Sequence, residues 1–161
     1  MKFFRAFLFD TNPMKKLILG LILSLGASSS VLAQLEKPIS WSYRAQRTGA
    51  HEATLYLKAS LQPKWHVYAL NPKPSPTRTF FTFVPTKDYT LIGATQQPKP
   101  TVKYDKFLKA NLGYFEKEVV FEQKIRLNKK QTTVKGKIEF MVCSDKACLP
   151  TDELMFSIPV N

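Results

Sequence analysis

The feature that most constrains the fold is a two-residue alternation of apolar and polar side chains. Over residues 119–127, positions 119, 121, 125 and 127 are apolar, whereas positions 122, 124 and 126 are charged. Successive side chains of a β-strand point to opposite faces, so this pattern indicates a half-buried strand. Similar β-favouring runs cover residues 53–59, 65–69, 79–84, 89–93, 134–143 and 154–160, and no long segment has a 3.6-residue apolar period. We therefore predict an all-β protein, an antiparallel β-sandwich of about eight strands.

Two segments interrupt the strand pattern. Residues 71–77 carry three prolines at alternate positions, which predicts an extended loop. Residues 95–112 contain two prolines followed by a mixed sequence, and we expect an irregular connection there. Long connections inside a compact domain are often functional.

The N-terminal region has the layout of a secretory signal peptide. Basic residues at 15 and 16 precede an apolar run over residues 17–27, and Val31 and Ala33 occupy the −3 and −1 positions of a cleavage site. The run is about 11 residues long, too short for the roughly 20 that a spanning helix needs. We predict a signal peptide over residues 1–33, cleaved after Ala33, and a single domain over residues 34–161. Translation from Met14 is an alternative start. The protein is then periplasmic or secreted.

The basic charge does not indicate nucleic acid. The whole chain has a formal charge of +12, and removal of the leader, with four basic residues and one acidic residue, leaves +9. The lysines are spread along the chain rather than clustered, and an exported protein does not meet nucleic acid. We therefore expect no nucleic-acid partner.

The only two cysteines, Cys143 and Cys148, are five positions apart in a chain expected to meet oxidising conditions. A straight strand would separate them by roughly 16 Å. A disulfide needs Cα atoms within about 7 Å, so residues 144–147 must form a turn if the two are bonded. Strand parity, counted from the apolar positions of residues 134–142, places Cys143 on the outward face and predicts that it is not buried. The spacing leaves an inert bond and a redox-active pair equally open.

Metal binding has little support in the sequence. His51 and His66 are 15 residues apart and far from the cysteines, without the spacing of zinc ligands. We expect no metal and no small-molecule cofactor, and we interpret His66 as an ordinary packing or surface residue.

Four segments resemble the N-terminal periplasmic domain of the thiol:disulfide interchange protein DsbD, which is an immunoglobulin-like domain. They are KWHVY at residues 64–68, YDKF at 104–107, YF at 114–115 and FMVCSDKACLP at 140–150. The spacing between the cysteines is one residue shorter than in the full-length proteins of that family. A second proline that often follows the cysteine pair is replaced here by Thr151.

The resemblance implies a redox role for the cysteine pair. Cys148 would attack the disulfide of a substrate protein, and Cys143 would resolve the mixed disulfide. A cap loop containing Tyr104, Asp105 and Phe107 would cover the pair. The implied partners are periplasmic thioredoxin-like or disulfide-carrying proteins and a separate membrane electron carrier. The sequence thus suggests an exported thiol–disulfide exchange module. The alternative is a non-catalytic immunoglobulin-like binding or assembly module with a structural disulfide.

Overall fold

The structure is a computed structural model that describes residues 37–70, 77–106 and 108–161. The predicted signal peptide, most of the proline-rich loop and Phe107 lie outside these residues. The described residues contain no helix that is long and apolar enough to cross a membrane.

The described part of the chain is built from β-strands. They are β1 (Ile39–Gly49), β2 (Glu52–Leu61), β3 (Trp65–Tyr68), β4 (Phe80–Phe83), β5 (Tyr89–Gln96), β6 (Thr101–Asp105), β7 (Ala110–Glu116), β8 (Glu118–Leu127), β9 (Thr132–Phe140), β10 (Val142–Ser144) and β11 (Asp152–Val160). They pair antiparallel in three sheets, ordered β1-β2-β8-β5, β10-β3-β7-β6 and β11-β9-β4. The predicted all-β antiparallel fold is confirmed, with more strands than the eight expected.

One apolar cluster joins the three sheets. Leu57 and Phe121 enter it from the first sheet, Val67 from the second, and Ile138 and Ile158 from the third. All five are 0–1% exposed, so the alternating apolar positions do form the buried faces of their strands. Burying such side chains contributes about 1.5–3 kcal/mol each, which makes this cluster the main stabilising element.

The expected irregular connection over residues 95–112 is wrong. Most of this segment forms the antiparallel hairpin of β6 and β7, in which Thr101 pairs with Tyr114 and Asp105 pairs with Ala110. Strand β6 has little apolar alternation because it is a mostly exposed edge strand. An edge strand is specified by pairing with its neighbour rather than by burial of one face, so the sequence pattern did not reveal it.

The single strand predicted over residues 134–143 is two strands in different sheets. Strand β9 ends at Phe140 in the third sheet, and β10 begins at Val142 in the second. Parity counted along β9 still carries across Met141, because Val142 is buried in the main core and Cys143 lies on the opposite face. That opposite face is covered at this point by a second cluster that contains Tyr68 and Tyr114. Cys143 is 0% exposed, so the predicted exposed position is wrong.

Candidate functional site: the disulfide and its surroundings

The two cysteines form a disulfide across a tight turn. Cys143 and Cys148 face each other in an antiparallel bridge, with their Cα atoms 4.0 Å apart. The Ser144 N–H donates to the Ala147 carbonyl (2.8 Å), and the Leu149 N–H donates to the Val142 carbonyl (3.0 Å). The Ser144 hydroxyl oxygen also accepts from the Ala147 N–H (3.2 Å). The bond and the turn that the spacing required are both present.

The two sulfur-bearing residues differ in burial. Cys143 is fully buried in a second, smaller apolar cluster with Tyr68 and Tyr114, outside the main core. Cys148 packs against the edge of the same cluster but is only half-buried. A nucleophile or a partner disulfide can therefore reach Cys148 more readily than Cys143.

Tyr68 connects the disulfide to the β6–β7 hairpin. Its hydroxyl donates to Asp105 Oδ2 over 2.6 Å, and the same oxygen lies 3.3 Å from Cys143 Sγ. Burial, together with the hydrogen bond to Asp105 and the charge of that carboxylate, raises the pKa of Tyr68 well above its ordinary value. The phenol therefore keeps its proton at neutral pH, and its oxygen lies within hydrogen-bond distance of both the carboxylate and the sulfur.

Asp105 is held from two sides. Its Oδ2 accepts from Tyr68, and its Oδ1 accepts from the Leu108 N–H over 2.9 Å. Leu108 lies in the turn between β6 and β7. A carboxylate that accepts charge-assisted hydrogen bonds from a strand and from a turn fixes one against the other. Asp105 thus ties the tip of the hairpin to β3 beside the disulfide.

His66 lies beside the disulfide, a position that sequence reasoning missed. It is directly opposite Cys143 in the β10–β3 ladder and opposite Glu116 in the β3–β7 ladder. Its ring is 4.7 Å from the Tyr114 ring and 5.4 Å from the Tyr68 ring, measured between centroids. The available signal was its position two residues before Tyr68, because residues i and i+2 of a strand share a face.

A cavity of about 250 Å³ opens next to the disulfide turn. Its lining includes His66, Tyr68 and Tyr114 from the sheet, with Ser144 and Asp145 from the turn. The predicted cap residues Tyr104 and Asp105 also line it, as do Lys103 and Lys106. Strand β6, the cysteine turn and the face of the second sheet thus line one cavity beside the disulfide turn.

The predicted site residues occupy the following places. The Cys143–Cys148 disulfide and the Asp105 carboxylate lie beside Tyr68, as described above. Tyr104 is 61% exposed, at the mouth of the cavity. Phe107 lies outside the described residues, so its assignment as the covering aromatic residue stays a prediction.

No metal site accompanies the disulfide in the part of the chain that the structure describes. It contains no group of three or more His, Cys, Asp and Glu side chains placed to hold a metal ion. His51 lies exposed in the turn between β1 and β2, whereas His66 lies beside Cys143.

Comparison with solved structures shows the fold. The N-terminal periplasmic domain of ScsB from Proteus mirabilis superposes with a TM-score of 0.56 at 15% identity, covering 78% of this chain and 47% of that one. The reduced DsbD N-terminal domain from Neisseria meningitidis gives 0.53 at 15% identity, covering 81% and 91%. The same domain in complex with the PilB N-terminal domain gives 0.50 at 12% identity, covering 79% and 87%. This chain therefore spans about half of the ScsB domain and has the same immunoglobulin-like fold.

Comparison of sequences settles the family. No curated protein matches the chain. Residues 35–159 match the family model described as "Thiol:disulfide interchange protein DsbD, N-terminal". That match covers most of the chain and includes both cysteines and every described strand except the last residue of β11. The chain belongs to the DsbD N-terminal domain family.

Proposed function

We propose that this protein is an exported thiol–disulfide exchange module that passes electrons to periplasmic proteins through Cys143 and Cys148. The observation that carries the proposal is the asymmetry of the pair: Cys143 is fully buried beside the Tyr68 hydroxyl, whereas Cys148 is only half-buried. Family membership supports the same chemistry. A periplasmic location is consistent with the predicted leader and with the periplasmic ScsB domain of similar fold.

The asymmetry supports a different proposed role for each sulfur. In the reduced protein, the Cys148 thiolate attacks the disulfide of a partner, forms a mixed disulfide and releases one partner thiolate. The Cys143 thiol then loses its proton, and its sulfur attacks the Cys148 sulfur. The second partner thiolate leaves as the Cys143–Cys148 disulfide forms. Two electrons pass to the partner, and a separate membrane electron carrier returns the pair to the dithiol.

The β6–β7 hairpin is proposed to act as the cap of the site. The Tyr68–Asp105 hydrogen bond holds the hairpin beside the buried sulfur, and Tyr104 stands at the cavity mouth. Phe107, which lies between β6 and β7 in the sequence, is proposed as the residue that covers the pair. A partner that displaces the hairpin would gain access to Cys143 as well as to Cys148.

Thioredoxin-like proteins are the proposed partners. A DsbD N-terminal domain of the same fold forms a complex with the PilB N-terminal domain, which shows that such a domain can bind another protein domain. The alternative function is a non-catalytic binding or assembly module in which the Cys143–Cys148 bond is only structural. The short loop that this bond closes favours exchange over stabilisation, because a disulfide restricts the unfolded chain less when its loop is short.

Redox equilibration distinguishes the two functions. The protein is incubated in glutathione buffers of graded potential, and the oxidised fraction is measured after thiol trapping. We expect a midpoint above about −300 mV, within reach of exchange partners. A bond that stays oxidised at all accessible potentials would show that the disulfide is structural.

Single-cysteine variants test the assigned roles. Cys143→Ser should accumulate a mixed disulfide with an oxidised thioredoxin-like protein, because Cys148 can attack and nothing resolves the product. Cys148→Ser should accumulate much less, since the remaining sulfur is buried. Equal trapping by both variants would contradict the assignment.

A further inference from the structure

In the proposed function, Cys143 must lose its thiol proton before its sulfur can resolve the mixed disulfide. This step requires a proton acceptor near Cys143. The Cys143 sulfur is buried, so its thiol proton cannot pass directly to bulk water. The Tyr68 hydroxyl lies 3.3 Å from the sulfur. That hydroxyl already donates to Asp105 and remains protonated at neutral pH, which makes Tyr68 a poor final acceptor.

We infer that the imidazole of His66 accepts the thiol proton of Cys143, which generates a thiolate–imidazolium pair in the reduced protein. The inference rests on the sheet register. Directly opposed residues of antiparallel strands have Cβ atoms about 4.5–5.5 Å apart and share a face. His66 and Cys143 are such a pair. An imidazole nitrogen at this position is therefore within reach of the sulfur.

The surroundings of His66 suit a group that is neutral in the oxidised protein and gains a proton once the disulfide is reduced. The ring is half-buried between Tyr68 and Tyr114, and burial lowers the pKa of His66 below its ordinary value of 6.5. The imidazole is therefore neutral at pH 7 in the oxidised protein and is available as an acceptor.

The charges that face His66 favour the protonated product. Strand β6 contributes the carboxylate of Asp105, β7 contributes Glu116, and the cysteine turn contributes Asp145, and all three raise the pKa of the imidazole. Lys103, on β6, opposes them. Once the thiol proton has moved, the thiolate adds a further negative charge beside the ring. The net field then stabilises the imidazolium.

The proton balance of the step is simple. The Cys143 thiol gives its proton to the imidazole, and the sulfur attacks the Cys148 sulfur of the mixed disulfide. The Cys148–partner bond breaks, and the partner sulfur leaves with the bonding electron pair. The imidazolium can then return the proton to the departing thiolate, so no external acid or base is needed.

The test measures the thiolate of Cys143 without any partner. In the Cys148→Ser background Cys143 is the only thiol, and its thiolate is followed by ultraviolet absorbance against pH. His66→Gln is compared with the matched control His51→Gln, which removes the other histidine, exposed in the β1–β2 turn. An opposite charge within about 4–6 Å lowers a thiol pKa by one unit or more, so the thiolate fraction at pH 7 should fall at least tenfold in His66→Gln only.

A second measurement needs no substitution. The titration of the His66 ring is followed by NMR in the oxidised and in the dithiol protein, with His51 as the internal reference. We expect the midpoint of His66 to be higher in the dithiol state and that of His51 to be the same in both. This measurement decides the matter if His66→Gln does not fold.

Two results would overturn the inference. One is an equal thiolate fraction in His66→Gln and His51→Gln, and the other is a His66 midpoint that does not depend on redox state. If the unsubstituted protein still equilibrates with glutathione, the proton acceptor is wrong and the exchange function stands. If the disulfide resists glutathione, the exchange function fails whatever His66 does.

Discussion

Removal of the Tyr68 hydroxyl tests the coupling between the disulfide and the β6–β7 hairpin. Tyr68→Phe keeps the ring in its buried cluster and deletes the 2.6 Å hydrogen bond to Asp105. A hydrogen bond to a charged group contributes about 1.5–3 kcal/mol. If this bond holds the hairpin beside the disulfide, its loss raises the population of the opened hairpin by the corresponding factor. Since 1.4 kcal/mol is a factor of ten, that factor is roughly 10 to 100.

The assay is the rate at which a small dithiol reduces the Cys143–Cys148 bond. Samples are quenched with an alkylating reagent at intervals, and the second-order rate constant is compared among variants. We expect Tyr68→Phe to be reduced at least tenfold faster than the unsubstituted protein. The unfolding free energy, measured in urea, should fall by no more than about 3 kcal/mol.

Tyr56→Phe is the matched control. Tyr56 lies on β2 in the first sheet. The Arg44 guanidinium lies over its ring, 4.3 Å from the ring centroid. The same atom is deleted, but far from the second sheet that holds the disulfide, so the reduction rate should not change. Equal rates in the two variants would refute the coupling. A faster rate that increases steeply with urea would also refute it, because reduction would then proceed through global unfolding.

Three further predictions concern stability. Gly136→Ala should lower the unfolding free energy by about 1–3 kcal/mol, since an added Cβ would overlap the Phe156 ring. Gly49→Ala, where the nearest atom to the added Cβ is 3.9 Å away, should be almost neutral in the same urea titration. Reduction of the disulfide should cost about 2 kcal/mol for so short a loop, and a loss above 4 kcal/mol would favour the structural role. Burial lowers the pKa of His66, so in the oxidised protein the unfolded chain binds the proton first as pH falls. The unfolding free energy should therefore decrease below about pH 6.5, and His66→Gln should flatten that decrease, as measured by urea midpoints against pH.

Much of the fold can be predicted from the alternation of apolar and polar side chains along single strands. Where a strand has one face on the core, as β8 does, burial forces an apolar residue at every second position, and the pattern is readable. Gln123 is the exception in β8: it is 1% exposed on the inward face, and its side chain bonds Thr95 Oγ1 (2.8 Å) and the Lys124 carbonyl (2.9 Å). Such a polar core residue is tolerated because its hydrogen bonds are satisfied, and no periodicity rule identifies it.

Edge strands, and the points where the chain passes from one sheet to another, are harder to predict from the sequence. Strand β6 is short and mostly exposed, so its sequence does not indicate a buried face, and its pairing with β7 depends on a partner that lies later in the chain. The break at Met141 between β9 and β10 has the same character, since the apolar residues on either side continue without interruption. The boundary between β9 and β10 is set only by the tertiary structure, in which the two strands belong to different sheets.

The sequence by itself determined that the chain is all-β, that its two cysteines must be joined through a turn if they are bonded, and that it resembles one redox family. These properties depend on neighbours a few positions apart, and short-range sterics and chain geometry fix them. The tertiary structure decided that Cys143 is buried while Cys148 is half-buried, and that Tyr68, Asp105 and His66 surround the pair. Those contacts join residues up to 77 positions apart (His66 and Cys143), so they exist only where the pairing of β3 with β7 and β10 brings the strands together.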